Sequence, residues 1–237
     1  EKLGLSHTEL DALNLCAVDM MKELRAEYRG RVEPIIVSGN IGPRGDGYVP
    51  GDKMTADKAQ GYHAHQIGLF ASAGADMVSA YTLSYPEEAI GIVRSAEAAA
   101  IPCVISFTVE TDGRLPSGDT LEAAIKRVDE ETDQAAAYYM INCAHPDHFA
   151  HVFKGAPWEQ RVRGIRANAS RCSHDELNET TELDDGDPDE LGRQYADLIS
   201  RLPHVNVLGG CCGTDHRHVA SISAACVGAH AKMAKQA

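Results

Sequence analysis

Val205-Asn206-Val207-Leu208-Gly209-Gly210-Cys211-Cys212-Gly213-Thr214-Asp215 reads as a buried strand, a glycine-flanked turn and the cap of a following helix. Five further short β-rich runs precede it: Ile35–Asn40, Met77–Thr82, Cys103–Thr108, Tyr138–Cys143 and Val162–Asn168. Their central residues lack polar alternation, as expected of parallel strands covered on both faces. Amphipathic stretches with recognisable starts lie between them. Thr55 caps one, Ser84 with Pro86 just inside caps another, and Asp187-Pro188-Asp189-Glu190 reads as a capping box with proline at the first helical position. In that last helix Leu191, Tyr195, Leu198 and Leu202 repeat at helical spacing, and Gly74 falls where the helix opened by Thr55 stops. The N-terminus starts differently: Ser6-His7-Thr8-Glu9 is a capping box, and Leu10, Leu13, Ala17, Met20 and Leu24 mark one apolar helical face. Six βα units imply an α/β fold with a parallel sheet, either open and doubly wound or closed as a barrel. A closed barrel needs eight units, so either the sheet is open or two strands lie upstream of Glu1.

The 237 residues carry 22 Lys+Arg against 35 Asp+Glu, a formal charge of −13. That balance disfavours partners with phosphate surfaces, nucleic acid or anionic membrane, because like charges repel. No apolar run approaches the ~20 residues that span a bilayer. The first residue is Glu1 and no signal-peptide core follows it. Seven cysteines, an odd count in a chain long enough to build its own core, fit a reduced, cytoplasmic setting. No linker or repeat divides the chain, so one domain over 1–237 is expected. Between Ser173 and Gly192 there are nine acidic residues and no Lys or Arg, which reads as a solvated loop entering a helix N-terminus.

The chemistry concentrates at two strand ends. Cys211 and Cys212 follow one strand with glycines on either side, which let the backbone turn sharply enough for both sulfurs to converge. Ile141-Asn142-Cys143-Ala144-His145-Pro146 also ends a strand and precedes a helix. In a parallel sheet all strand C-termini lie on one side, so Cys143 can meet Cys211 and Cys212 across 68 positions of sequence. Three thiolates around one Zn2+ ion make three corners of a tetrahedron and leave the fourth open, the mark of a catalytic site. The other candidates read as structural. His63 and His65 sit two apart in a helix, where side chains diverge, and read as surface histidines. His148 and His151 share a helix face and read as solvent-exposed. Cys16, Cys103, Cys172 and Cys226 read as packing residues, and Gly42-Pro43-Arg44-Gly45-Asp46-Gly47 as a loop after a strand. There is no G-x-S-x-G, H-E-x-x-H or P-loop.

Ile141-Asn142-Cys143, followed some 70 residues later by Gly209-Gly210-Cys211-Cys212-Gly213-Thr214, resembles the homocysteine S-methyltransferase family. Ser38-Gly39-Asn40-Ile41-Gly42-Pro43 looks like that family's third-strand segment, and Ser106-Phe107-Thr108 with Asp112, Gly113 and Gly118 like its fifth. The resemblance implies a (β/α)8 TIM barrel of which strands three to eight are present, with strands one and two upstream of Glu1. It implies Cys143, Cys211 and Cys212 as zinc ligands and Glu110 and Asn142 as substrate-binding residues, Glu110 as the group that holds the substrate ammonium. Where the family often carries Glu-Thr at the end of its fourth strand, Ala80-Tyr81-Thr82 stands here.

The reaction so implied is methyl transfer from a small donor to the thiol of homocysteine, giving methionine. A free thiol has a pKa of ~8.5 and is a poor nucleophile until it loses its proton, which zinc binding achieves. No general base is then needed, in keeping with the lack of a His/Asp relay. Two other readings stand beside this one: a zinc hydrolase with metal-bound water and His145 as proton carrier, and a non-catalytic zinc-binding domain. The methyl donor and any oligomeric state are left open.

Overall fold

A computed structural model describes residues 4–233; residues 1–3 and 234–237 lie outside it. The chain opens with helix α1 (His7–Tyr28) and then alternates. In order come β1 (Ser38–Ile41), α2 (Ala56–Ser72), β2 (Met77–Leu83), α3 (Pro86–Ala98), β3 (Cys103–Phe107), α4 (Leu121–Glu131) and β4 (Tyr138–Asn142). The second half holds α5 (Pro146–Phe149), β5 (Val162–Ala167), α6 (His174–Glu179), α7 (Pro188–Arg201), β6 (Val207–Gly210) and α8 (His216–Met233). All six expected strands form, with ends displaced by a few residues.

The strands make one sheet in the order β1-β2-β3-β4-β5-β6, and every neighbouring pair is parallel. A doubly wound sheet reverses its strand order at a switch point; this one never reverses, which is the winding of a barrel. The sheet is curled. On a flat sheet β2 and β5 would stand about 14 Å apart, three strand spacings. Yet the guanidinium carbon of Arg166 on β5 lies 4.9 Å from the ring centre of Tyr81 on β2. Beyond the strand ends, Tyr48 after β1 and His174 after β5 bring their rings to 3.8 Å. Six parallel strands thus form a curled half-barrel whose C-terminal strand ends lean toward one another.

Alternation along the strands gives the two faces different chemistry. Val78, Ala80, Ile105, Phe107, Tyr139, Ile141, Ile165 and Ala167 are buried and belong to one hydrophobic cluster. Helices cover this face. Tyr139 donates its hydroxyl to Asp129 of α4 at 2.7 Å, and the Tyr195 hydroxyl of α7 accepts from the Ala167 amide at 2.7 Å. The opposite, concave face is polar: Ser38 pairs with Ser79 at 2.7 Å, and Ser106 donates to Asn142 at 2.6 Å.

The caps explain where helices start, with some corrections. Ser6 and Glu9 form the reciprocal box expected of them, and Thr55 accepts from the Lys58 amide. Asp187 accepts from the Asp189 and Glu190 amides, but Glu190 sends its carboxylate to Arg171, so only half of the box is made. Ser84 does not cap α3. Pro86 takes the first helical position, which makes Tyr85 the N-cap and leaves the buried Ser84 hydroxyl without a partner. The apolar face of α1 is also not where its pattern implied. Val18 is the buried residue of that helix, polar contacts from Asp11 to His65 and Asn14 to Gln66 seat it on α2, and Leu13, Met20 and Leu24 remain exposed. The acidic stretch read as loop contains α6, capped by a Ser173–Glu176 box. Among the described residues no helix is long and apolar enough to cross a membrane.

Candidate metal and thiol site

Cys143 leaves the end of β4, and Cys211 and Cys212 leave the end of β6, two strands away. Their three sulfurs lie within 4.8 Å of one another. Cys143 Sγ is 2.6 Å from Cys211 Sγ and 3.8 Å from Cys212 Sγ, and all three are free thiols. Local backbone geometry achieves this convergence. Cys143 itself adopts φ 54°, sparsely populated for a residue with a side chain, and its amide donates to the Arg166 carbonyl at 3.2 Å. Cys211 donates its amide to the Ala167 carbonyl, and Cys211 to Thr214 close a turn with Thr214 N to Cys211 O at 3.2 Å. Gly213 occupies the third position of that turn with φ +76°, where a type II turn calls for glycine, and a Cβ there would meet the Asp184 carbonyl at 2.7 Å.

The thiols sit in a polar setting. Hydrogen bonds from Cys211 and Cys212 hold the Cys143 thiol far below its ordinary value, while sharing with Cys143 pushes Cys211 up. Thr82, with φ 60°, brings its hydroxyl to 3.9 Å from Cys143 Sγ. Asn142 holds Thr82 by two bonds, accepting from its amide at 2.9 Å and donating to its hydroxyl at 2.8 Å. Tyr48 faces Cys143 from the other side; burial, and then the neighbouring Cys143 thiol, raise its phenol. His174 donates through Nε2 to the Cys143 carbonyl at 2.7 Å, and its Nδ1 lies 3.6 Å from a Glu110 carboxylate oxygen. A cavity of about 430 Å³ opens beside Cys212, bordered by Tyr48, His174 and Asn168.

All five site residues named from sequence, Cys143, Cys211, Cys212, Glu110 and Asn142, thus lie around one point. Tyr48, Thr82 and His174 were not read as site residues. Their signal is positional: Thr82 lies at the C-terminal end of β2, and Tyr48 and His174 follow β1 and β5, on the side where ligands bind in parallel sheets. His145 caps α5 by accepting from the Asp147 amide at 3.2 Å, and burial pulls it down to about 4. Several of the structural readings need correction. His63 is buried, not on the surface, and pairs with Glu88 at 2.9 Å, whereas His65 is exposed. His148 is buried against the Arg171 carbonyl while His151 is exposed. Cys103 and Cys226 pack inside as expected, but Cys16 is exposed on α1.

The donor set suits a thiophilic ion. With metal–sulfur bonds near 2.3 Å, sulfurs at tetrahedral corners stand about 3.8 Å apart, close to the separation of Cys143 and Cys212. Cys143 and Cys211 would part by roughly 1 Å to reach it.

A half-barrel of parallel strands with three thiols gathered at its C-terminal rim defines a thiolate-site α/β protein. Comparison with known proteins makes the class specific. The family model for homocysteine S-methyltransferases matches residues 1–226, and the chain belongs to that methyltransferase family. It is 23% identical to homocysteine S-methyltransferase 1 of Zea mays, over 93% of this chain and 73% of that protein. Its fold matches the metallated form of the homocysteine methyltransferase MmuM from Escherichia coli with TM-score 0.72 and 18% identity, covering 94% of this chain and 73% of that one. The apo form of the same enzyme matches with TM-score 0.69 and 19% identity, over 94% and 76% of the two chains.

Proposed function

We propose that this protein transfers a methyl group from a small donor to the sulfur of homocysteine, giving methionine, with one zinc ion held by Cys143, Cys211 and Cys212. The observation that carries the proposal is the gathering of those three sulfurs within 4.8 Å at the rim where the strands end. On this reading the six strands stand as strands three to eight of a (β/α)8 barrel, and 1–237 is one domain around the buried cluster that the described residues form. Bound zinc supplies a fourth position in which an incoming thiol is held deprotonated.

The chain's own residues do the rest. Thr82, fixed by Asn142, braces Cys143 from the concave side, and Tyr48 and His174 brace it from the loops. The Glu110 carboxylate offers a partner for the substrate ammonium. The cavity beside Cys212 has the size of a small-ligand site and leaves room for a donor to approach in line. The homocysteine proton leaves to solvent. A sulfur lone pair then forms the new S–CH3 bond as the donor's methyl bond breaks, and the donor departs with that electron pair.

His145 is poorly suited to carry a proton in a hydrolytic alternative, because its Nδ1 accepts from the Asp147 amide and burial pulls its imidazole down to about 4. The test is methionine formation from homocysteine by zinc-loaded protein, run over S-methylmethionine, S-adenosylmethionine, betaine and a methylcorrinoid. Turnover with one of them is the expected result; zinc-loaded protein that makes methionine from none contradicts the proposal.

A further inference from the structure

We infer that Arg166, seated on Tyr81, is an anion subsite that reads the carboxylate of the accepting thiol. The inference rests on the methyl-transfer reading above and names the class of acceptor: thiols that carry a carboxylate a few carbons from sulfur. Four observations support it.

Arg166 is tied to the thiol site. Its carbonyl accepts from the Cys143 amide, and its residue pairs in register with Asn142 on one side and Gly209 on the other. Its side chain lies on the concave face and crosses to β2, where the guanidinium sits 4.9 Å from the Tyr81 ring centre. Tyr81 immediately precedes Thr82, whose hydroxyl touches Cys143. The Arg166–Tyr81 pair therefore forms a layer just beneath the three sulfurs.

The guanidinium is also under-used. Nε donates to the Gly210 carbonyl at 3.3 Å, which leaves the four terminal N–H donors without a protein acceptor among the described residues. In this acidic chain, arginines commonly find carboxylates, and seven of the described ones do so. Arg166 makes no such ion pair, although it is half-buried. A partly desolvated cation without a counter-charge is costly, and a ligand carboxylate is the group that would complete it, by a paired fork of N–H bonds. Stacking on Tyr81 holds the fork in place before the ligand arrives.

The experiment measures thiol binding to the zinc-loaded protein by calorimetry, with no methyl donor present. The ligands are homocysteine, 4-mercaptobutyrate, the uncharged 4-mercaptobutyramide and 3-mercaptopropylamine. We expect both carboxylate thiols to bind the wild type about 10- to 100-fold more tightly than the amide and the amine, the range of a charged hydrogen-bonded contact. Arg166→Met should erase that preference while leaving amide binding unchanged, Arg166→Lys should keep part of it, and Tyr81→Phe should keep all of it. Equal affinity of the wild type for 4-mercaptobutyrate and its amide overturns the inference and leaves methyl transfer to homocysteine standing. That comparison needs no variant. Failure of every thiol to bind zinc-loaded protein overturns both.

Discussion

Asn142 and Thr82 are joined twice, amide to Oδ1 at 2.9 Å and Nδ2 to hydroxyl at 2.8 Å. This pair holds a β-branched residue at φ 60°, a conformation that costs energy and persists only when its surroundings impose it. Asn142 also accepts from Ser106, so one buried amide ties the ends of β2, β3 and β4 together. Asn142→Ala should cost about 2 kcal/mol of stability, because it strands the Thr82 amide and the Ser106 hydroxyl. It should also weaken metal binding, since Thr82 then loses its aim at Cys143. Urea unfolding and zinc titration of the variant check the two effects separately.

Each of the three thiols should be needed for tight metal binding. Cys143→Ala, Cys211→Ala and Cys212→Ala should each lose most zinc affinity while keeping the fold, because the hydrophobic core lies on the other face of the sheet. Cys16→Ala, far from the site on α1, should bind zinc as the wild type does. Competition against a chromophoric chelator gives the affinities.

What the sequence made legible was the part set by local rules. Strands that end together on one side place Cys143, Cys211 and Cys212 together whatever the details of their loops. Sheet curvature was beyond those rules, because it depends on contacts between strands far apart in sequence, such as Arg166 to Tyr81. Tyr48 and His174 were missed for the same reason: the loops that carry them meet only when the sheet curls. His63 was misread because its partner, Glu88, lies on the next helix, and a buried pair leaves no mark in a helical pattern. The apolar stripe on α1 misled in the opposite sense, since polar contacts from Asp11 and Asn14 set the helix's rotation.

Glu88 anchors the loop that carries Tyr48. It is fully buried, and one carboxylate oxygen accepts from both the Arg44 amide at 2.7 Å and His63 at 2.9 Å. Glu88→Ala should destabilise the protein by about 3 kcal/mol, the cost of breaking a buried pair from one side. Hydrogen exchange should quicken between residues 42 and 49, four positions and more from any direct contact with Glu88 at the far end of that stretch. Unchanged exchange there would show that the loop is held by other means.

Acid should loosen the fold through His145. Burial holds its imidazole down to about 4, against ~6.5 for an unfolded histidine. Between those values the unfolded chain binds the proton and the folded chain does not, so stability falls as pH drops through that window. Above pH ~6.5 His145 is neutral in both states and contributes no pH dependence. The loss from this residue alone amounts to about 3 kcal/mol by pH 4. His145→Asn keeps an acceptor for the Asp147 amide and removes the titration, so its stability should fall less steeply across the same range. Denaturant unfolding at several pH values measures both slopes.

X-ray absorption at the zinc edge tests the central claim most directly. Zinc-loaded protein should show three sulfur neighbours near 2.3 Å, and addition of homocysteine should raise that number to four as its thiol takes the open position. A zinc ion that already has four protein ligands, or one whose shell does not change with homocysteine, would contradict the account.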